Sequence, residues 1–423
     1  MKQPFLKAYK YRIYPNSQQK VQFEKHFGCT RFIFNWALAL QTKVHSETQK
    51  LLSKKDIQDQ LVAMKKQPEF EWLNEVNSQS LLSGLLHLHT AYNNFFQRLK
   101  KGKIEFRKIK GYKPKPDEKR PLSHIVGYPR FKSKKVPQRS YQCPQHATVS
   151  FEHGLLHLPK IKGIKTVFSR TFDGKIKTVT ISKTATGKYY ASILVESELE
   201  LVAPTTVQPD QTIGIDMGLN HMLIQSNGDK VENPRHLRQA QNRLAIQQKI
   251  FARKQKESKN YQRQKLSVAF IHEKVRLQRL DLHHKLTHHL ICENQATTYA
   301  VEDLGIKNMV KNSKLAKSIS DVAWGQFLTL LQYKAEWYGK NVLKIGRFVP
   351  SSKTCSCCGY KMEKLPLSVR LFECPNCNLV EDRDVNASIN IRNFALADAL
   401  GLRAVLRVPM PQYLSAQVWH RKV

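Results

Sequence analysis

Three carboxylates and a cluster of thiols are the residues of this 423-residue chain whose settings suit chemistry. Asp216 lies in Gly214-Ile215-Asp216-Met217-Gly218, where the apolar residues before it read as a buried strand and the glycine after it would leave room for a metal or a phosphate. Glu302 closes Tyr299-Ala300-Val301-Glu302-Asp303-Leu304, at the end of what reads as a central strand. Asp384 lies in Asp382-Arg383-Asp384-Val385-Asn386-Ala387, at a helix start. Separations of 86 and 82 residues exclude local clustering, so only a fold that sets strand ends beside a helix could gather the three. Gathered, their hard oxygens suit two Mg²⁺ ions about 4 Å apart, which activate water and stabilise the leaving oxygen of an in-line phosphodiester displacement. Each acid taken alone reads equally well as a capping or ion-paired carboxylate.

The thiols form Cys355-x2-Cys358-x15-Cys374-x2-Cys377, the spacing of a tetrahedral four-thiolate zinc ribbon, with Gly359 and Asn376 suited to its tight turns. Cys357 could compete as a ligand, but the x2 spacing favours Cys355 and Cys358, and Cys357 is taken as a bystander. Such a zinc staples two loops and need not touch the reaction; its role would be to position Asp384. The remaining cysteines, Cys29, Cys143 and Cys292, are scattered, and with His146 carry no pattern. His283, His284, His288 and His289 fall at helical spacing among basic residues and read as a solvated or RNA-facing surface rather than a metal site.

The partner of that chemistry is written in the charge. Seventy Lys and Arg against 33 Asp and Glu give a formal charge of +37, spread along nearly the whole chain, and nucleic acid is the polyanion that rewards an extended basic surface through counterion release. A membrane surface is the rival, weakened because no run of about 18 apolar residues exists and the start of the chain lacks the apolar core of a signal peptide. A cytoplasmic, reducing location is expected, where clustered cysteines bind metal rather than form disulfides.

The elements that must hold these residues read as mixed α/β and multidomain. Phe5, Tyr9, Tyr11 and Ile13 alternate as a strand before Pro15-Asn16-Ser17 breaks the pattern and caps a helix. From 17 to about 104 apolar residues recur at three- and four-residue steps, as in Leu81, Leu85, Leu88, Tyr92 and Phe95. The stretch from about 101 to 140, with Lys-Pro-Lys-Pro at 113–116, reads as an extended basic connector. Strand alternation returns over 147–200, with a hairpin turn at Thr186-Gly187. Strands at 212–219 and 222–225, a turn at Asn227-Gly228, a basic helical stretch over 236–291 with Ile271, Val275, Leu282, Leu286 and Leu290 on one stripe, a strand at 298–301, a helix at 324–338 and a strand at 341–345 follow. Two strands bracketing a carboxylate suggest an RNase H-like sheet.

Taken together, KAYKYRIYP near the start, GIDMGL at 214–219, VEDL at 301–304 and the run from Cys355 through DRDVNASINI at 382–391 resemble TnpB, the transposon-encoded relative of miniature type V CRISPR effectors. The resemblance covers essentially the whole chain. It implies a RuvC-like nuclease domain over 208–350 and 380–400 with Asp216, Glu302 and Asp384 as its catalytic, magnesium-binding acids, and a zinc ribbon over 351–379. It further implies a wedge β-barrel domain from 1–16 and 116–207, a helical recognition domain over 17–115 and a basic C-terminal tail over 401–423. A guide RNA would pair with the target strand of double-stranded DNA while the protein grips backbone and reads a short flanking motif; a monomer is favoured. Asn378 stands where the family usually places glycine, and Ser388 where alanine is common. The rival readings are an RNA-guided repressor that binds DNA without cutting it, and an accessory transposase, for which no tyrosine or serine recombinase constellation is present.

Overall fold

The computed structural model describes residues 5–48, 50–102, 104–107, 122–136, 139–197, 202–366 and 368–401, which fall in two compact units, Met1–Glu200 and Leu201–Val423. The Lys-Pro-Lys-Pro segment and the tail from 402 onward lie outside the described residues.

In the first unit β1 (Phe5–Tyr14) leads into α1 (Ser17–Thr48), α2 (Lys54–Met64) and α3 (Ser78–Lys100), followed by β2 (Arg139–Cys143), β3 (Thr148–Ser150), β4 (Leu155–Leu158), β5 (Ile161–Val167), β6 (Lys175–Lys183) and β7 (Tyr189–Ser197). The break before α1 is a reciprocal cap: the Gln19 amide donates to Asn16 Oδ1 at 2.8 Å and the Asn16 amide to Gln19 Oε1 at 2.9 Å. The strands form one sheet in the order β2-β6-β7-β1-β5-β4-β3. Its two outer strands are consecutive in sequence, Cys143 to Thr148. Five residues reach at most about 18 Å, whereas seven flat strands would set their edges about 29 Å apart, so the sheet has to curl. Its concave side holds a core of Tyr11, Ile13, Leu156, Ile164, Val179, Ile181, Ala191 and Ile193. A second core lies among the helices, around Ile33, Leu38, Leu61, Leu81, Leu88 and Phe95. Ile125 and Tyr128 pack into that helical core, and Phe106 bridges to Ile125, so the flanks of the basic stretch are anchored rather than extended as expected: buried apolar residues outweigh the local lysines there.

The second unit begins with β8 (Thr212–Asp216), β9 (His221–Gln225) and β10 (Lys230–Glu232), then α4 (His236–Ala252), α5 (Lys259–His288), β11 (Thr298–Glu302), α6 (Ile306–Met309), α7 (Ser313–Val322), α8 (Trp324–Trp337), β12 (Asn341–Ile345), β13 (Leu371–Glu373), β14 (Val380–Asp382) and α9 (Arg383–Ala399). The central sheet runs β10-β9-β8-β11-β12, with β8, β11 and β12 parallel and β9 and β10 antiparallel to their neighbours. The basic helical stretch over 236–291 is a hairpin of two helices, α4 and α5. Glu257 turns the chain with φ +69°, Ser258 caps α5 by accepting from the Tyr261 amide at 3.1 Å, and Phe251 stacks on Tyr261 at 4.7 Å. The buried Asp321 carboxylate accepts the Leu237 amide at 2.9 Å and the Arg279 side chain at 3.3 Å, tying α4, α5 and α7 together. Among the described residues no helix is long and apolar enough to cross a membrane.

One of the four clustered histidines departs from the surface reading. His284, His288 and His289 are exposed, but His283 is 1% exposed with Nε2 3.0 Å from the Val322 carbonyl. The reason is helical phase: 283 is two four-residue steps beyond Val275 and four before Thr287, both buried, so it continues the core stripe of α5. Replacing His283 with Ala is expected to destabilise this unit by roughly 2–3 kcal/mol through a cavity and an orphaned carbonyl, while His288→Ala stays within about 0.5 kcal/mol. Urea-unfolding midpoints of the two variants check this.

Candidate active site

Asp216 and Glu302 end neighbouring parallel strands. Val301 of β11 pairs in register with Ile215 of β8, so the next residue of each strand is an acid at the same edge of the sheet. Asp384 enters from α9, in whose first turn it sits; the helix starts there because Asp382 Oδ1 accepts the amides of Asp384 at 2.9 Å and Val385 at 3.1 Å. Burial first, and then the negative charges of Glu302 and Asp384, push the Asp216 carboxyl up to about 7. Carboxylate oxygens are the hard donors that divalent cations take, and the charges of Glu302 and Asp384 both reach Asp216. Arg370 approaches Asp384 at 3.7 Å, and Lys230 neutralises the capping Asp382 at 2.6 Å.

What lets α9 reach β8 is Gly214. A Cβ there would overlap the Ser388 carbonyl oxygen and crowd the Arg392 amide, so helix backbone lies directly on strand backbone. Gly218 has a different use from the one expected: a Cβ would lie 2.7 Å from the His221 carbonyl, so the residue permits the tight β8–β9 connection rather than opening space for a ligand.

Sequence reasoning passed over three polar residues that complete the arrangement. Ser351 donates to Glu302 Oε1 at 2.6 Å. Asn390 donates to the carbonyls of Ser351 at 2.8 Å and Thr354 at 2.6 Å, and Asn386 donates to the Thr354 carbonyl at 2.8 Å while accepting the Ser356 amide at 2.9 Å. Both asparagines are almost wholly buried. Their signal was a polar pair four residues apart on the face of α9 that also carries Ile391.

The same segment opens the cysteine cluster. The sulfurs of Cys355, Cys358, Cys374 and Cys377 all lie within 4.8 Å of one another, with Cys355 to Cys377 at 3.6 Å and Cys358 to Cys374 at 3.5 Å. A tetrahedron with zinc–sulfur bonds of about 2.3 Å has edges of about 3.8 Å, so the sulfurs fit a zinc ion. Cys357 is exposed and outside the cluster. The two halves repeat one turn: the Gly359 amide donates to the Cys355 carbonyl at 3.0 Å and the Cys355 amide to the Tyr360 carbonyl at 2.8 Å, while Asn378, Cys374 and Leu379 repeat the pattern at 2.9 Å each. The left-handed positions are Gly359 (φ +76°) and Asn378 (φ +58°). Asn378, not Asn376, therefore makes the second turn, because Asn tolerates this conformation where branched residues do not. Asn376 instead bonds Cys358, whose thiol burial would raise but which that bond and the Tyr360 amide hold down at about 6.

Over 400 residues, 94% of this chain and 91% of the relative, the sequence is 36% identical to a protein of Streptomyces pristinaespiralis named an RNA-guided DNA endonuclease. A protein of Escherichia coli K12 named RNA-guided DNA endonuclease InsQ is 30% identical over 91% of each chain, and a TnpB-like protein of Methanocaldococcus jannaschii is 37% identical over 26% of this chain and 41% of its own. The chain belongs to the TnpB family. Three family profiles match within it: "OrfB_IS605: Probable transposase" over 192–313, "Cas12f1-like, TNB domain" over 324–391, and a helix-turn-helix domain over 1–50. The fold is similar to that in the cryo-EM structure of the Cas12f1-sgRNA-target DNA complex, with a TM-score of 0.52 and 12% identity over 92% of this chain and 99% of that one. RuvC-like and zinc-ribbon parts fit this TnpB-family chain.

Two outcomes follow for the TnpB-family site. Gly214→Ala is expected to push α9 off β8 and cost at least about 3 kcal/mol, visible as a lowered melting temperature. Asn378→Gly is expected to hold zinc as the parent does, whereas Asn378→Val loses it faster to a chelator, as followed by a colorimetric zinc indicator.

Proposed function

We propose that this chain is an RNA-guided endonuclease that cuts double-stranded DNA at a single site formed by Asp216, Glu302 and Asp384. The observation that carries the catalytic assignment is that Asp216 and Glu302, far apart in sequence, end paired parallel strands beside the helix start that holds Asp384, with the charges of Glu302 and Asp384 both reaching the buried Asp216 carboxyl. Bound at that edge, two Mg²⁺ ions would activate water and stabilise the departing oxygen. The protein's part is positioning. Asp216 and Glu302 are fixed by strand register, Asp384 by its cap, and Ser351 occupies one oxygen of Glu302 and leaves the other available. The zinc ribbon holds the segment that carries Ser351, with Asn386 and Asn390 as its fasteners.

The surplus of 70 basic over 33 acidic residues supports guide RNA and target DNA as partners, gripped through their phosphates while base pairing supplies sequence recognition. On this reading the curled sheet of the first unit is the wedge barrel, α1 to α3 the helical recognition part, and β8 to β12 with α9 the nuclease domain.

Plasmid bearing a target matched to the co-purified RNA should be linearised with Mg²⁺ and left intact with EDTA. Asp216→Ala should abolish cutting while retaining RNA binding. A variant that still cuts would refute the site assignment; a parent that binds its target yet never cuts would leave the repressor reading; joined DNA ends would favour the transposase one.

A further inference from the structure

Beside the three acids the chain makes a turn that is fastened at both feet and carries an aromatic ring at its tip. Ile345, the last residue of β12, pairs in register with Glu302. From there the chain runs Gly346-Arg347-Phe348-Val349-Pro350-Ser351. Arg347 is committed to Asp303, with Nη2 2.6 Å from the carboxylate and Nε 3.1 Å from the carbonyl, and Gly305 makes room for the guanidinium, since a Cβ there would lie 3.3 Å from it. Ser351 is committed to Glu302. Between these feet the Val349 amide donates to the Gly346 carbonyl at 3.2 Å and the Ser351 amide to the Val349 carbonyl at 2.9 Å, and Val349 packs against the core beneath α9. Phe348 is left 94% exposed.

A fully solvated phenylalanine forgoes the free energy of burial, and hydrogen bonds at both feet of the turn hold the backbone that presents it. Three residues beyond Ile345 place the Phe348 backbone within about 11 Å of the strand end that neighbours Glu302. A strand delivered to these acids parts from its complement, so its unpaired bases are free to turn a face toward another stacking surface. An aromatic ring offers any base a flat apolar face regardless of sequence, and the exposed Arg370 beside Asp384 suits the strand's phosphates.

We propose that Phe348 is a stacking platform that receives a base of the DNA strand being cut and so positions the scissile phosphate at Asp216, Glu302 and Asp384. This rests on the nuclease reading above. Phe348 is a positioning residue: it would act on where and how fast the strand is cut, not on whether the guide finds its target.

The test uses the full chain with its co-purified RNA and targets carrying 2-aminopurine at successive positions near the cut. In EDTA, fluorescence at one position should be quenched by the parent and by Phe348→Trp but not by Phe348→Ala. With Mg²⁺, Phe348→Ala should cut roughly tenfold or more slowly in a single turnover and at more scattered positions, with target binding and melting temperature unchanged, and Phe348→Trp should restore both. Phe348→Ala that matches the parent in rate, cut position and quenching overturns the inference. So does a slower variant whose quenching is intact, or one that loses only self-association in sedimentation. Phe348-dependent quenching in a parent that never cuts would uphold the platform while removing the nuclease reading.

Discussion

Backbone against backbone is the constraint on which this site depends. Where α9 crosses β8, the glycine at 214 lets the Ser388 carbonyl sit where any side chain would be. Close approach of a helix to a strand fixes both the height and the phase of the helix, and the first turn of α9 carries Asp384 near enough for its charge to reach Asp216. Two of the acids are placed by parallel strand register, a property of the sheet, and the third by this single crossing. The Asp216 carboxyl, raised first by burial and then by the charges of Glu302 and Asp384, is therefore held by geometry that the acids themselves do not supply.

The same helix carries the support for its neighbours. Asn386 and Asn390 lie one turn apart and hold the carbonyls of Ser351 and Thr354, after which the chain enters the cysteine cluster and before which it touches Glu302. Buried amides so fully committed are costly to disturb, because every lost partner leaves a desolvated polar group behind. The ribbon is thus joined to the acids by hydrogen bonds on the protein side, without any contact between a zinc-binding sulfur and a carboxylate being needed.

Much of this was legible in the sequence, and what was not has physical causes. The four cysteines and the strands leading to 216 and 302 were visible because each combines a residue type with a pattern, paired thiols at fixed spacing or apolar runs closed by a charge, although the first of these strands ends at Asp216 rather than at 219. His283 was misread because its neighbours at 284, 288 and 289 are exposed, and composition hides which phase of the helix faces inward. Ser351, Asn386 and Asn390 were missed because polar residues in a helix or loop declare themselves only once the partner segment is known. Asn376 and Asn378 are separated only by backbone dihedrals. The break between α4 and α5 was lost in a uniformly basic stretch with no proline to mark it.

The place of β1 in its sheet bears on how the chain comes to be made. Phe5 pairs with Ser197 and Arg12 with Val167, so the earliest strand of this sheet in chain order lies between two of its latest. Its ladder stays unfilled on both sides until well over a hundred further residues have been translated. Such distant pairing closes slowly and leaves an open strand edge exposed in the meantime. A nascent first unit of this kind depends on its helices for early structure, and its alternating tyrosines at 9 and 11 wait longest for cover.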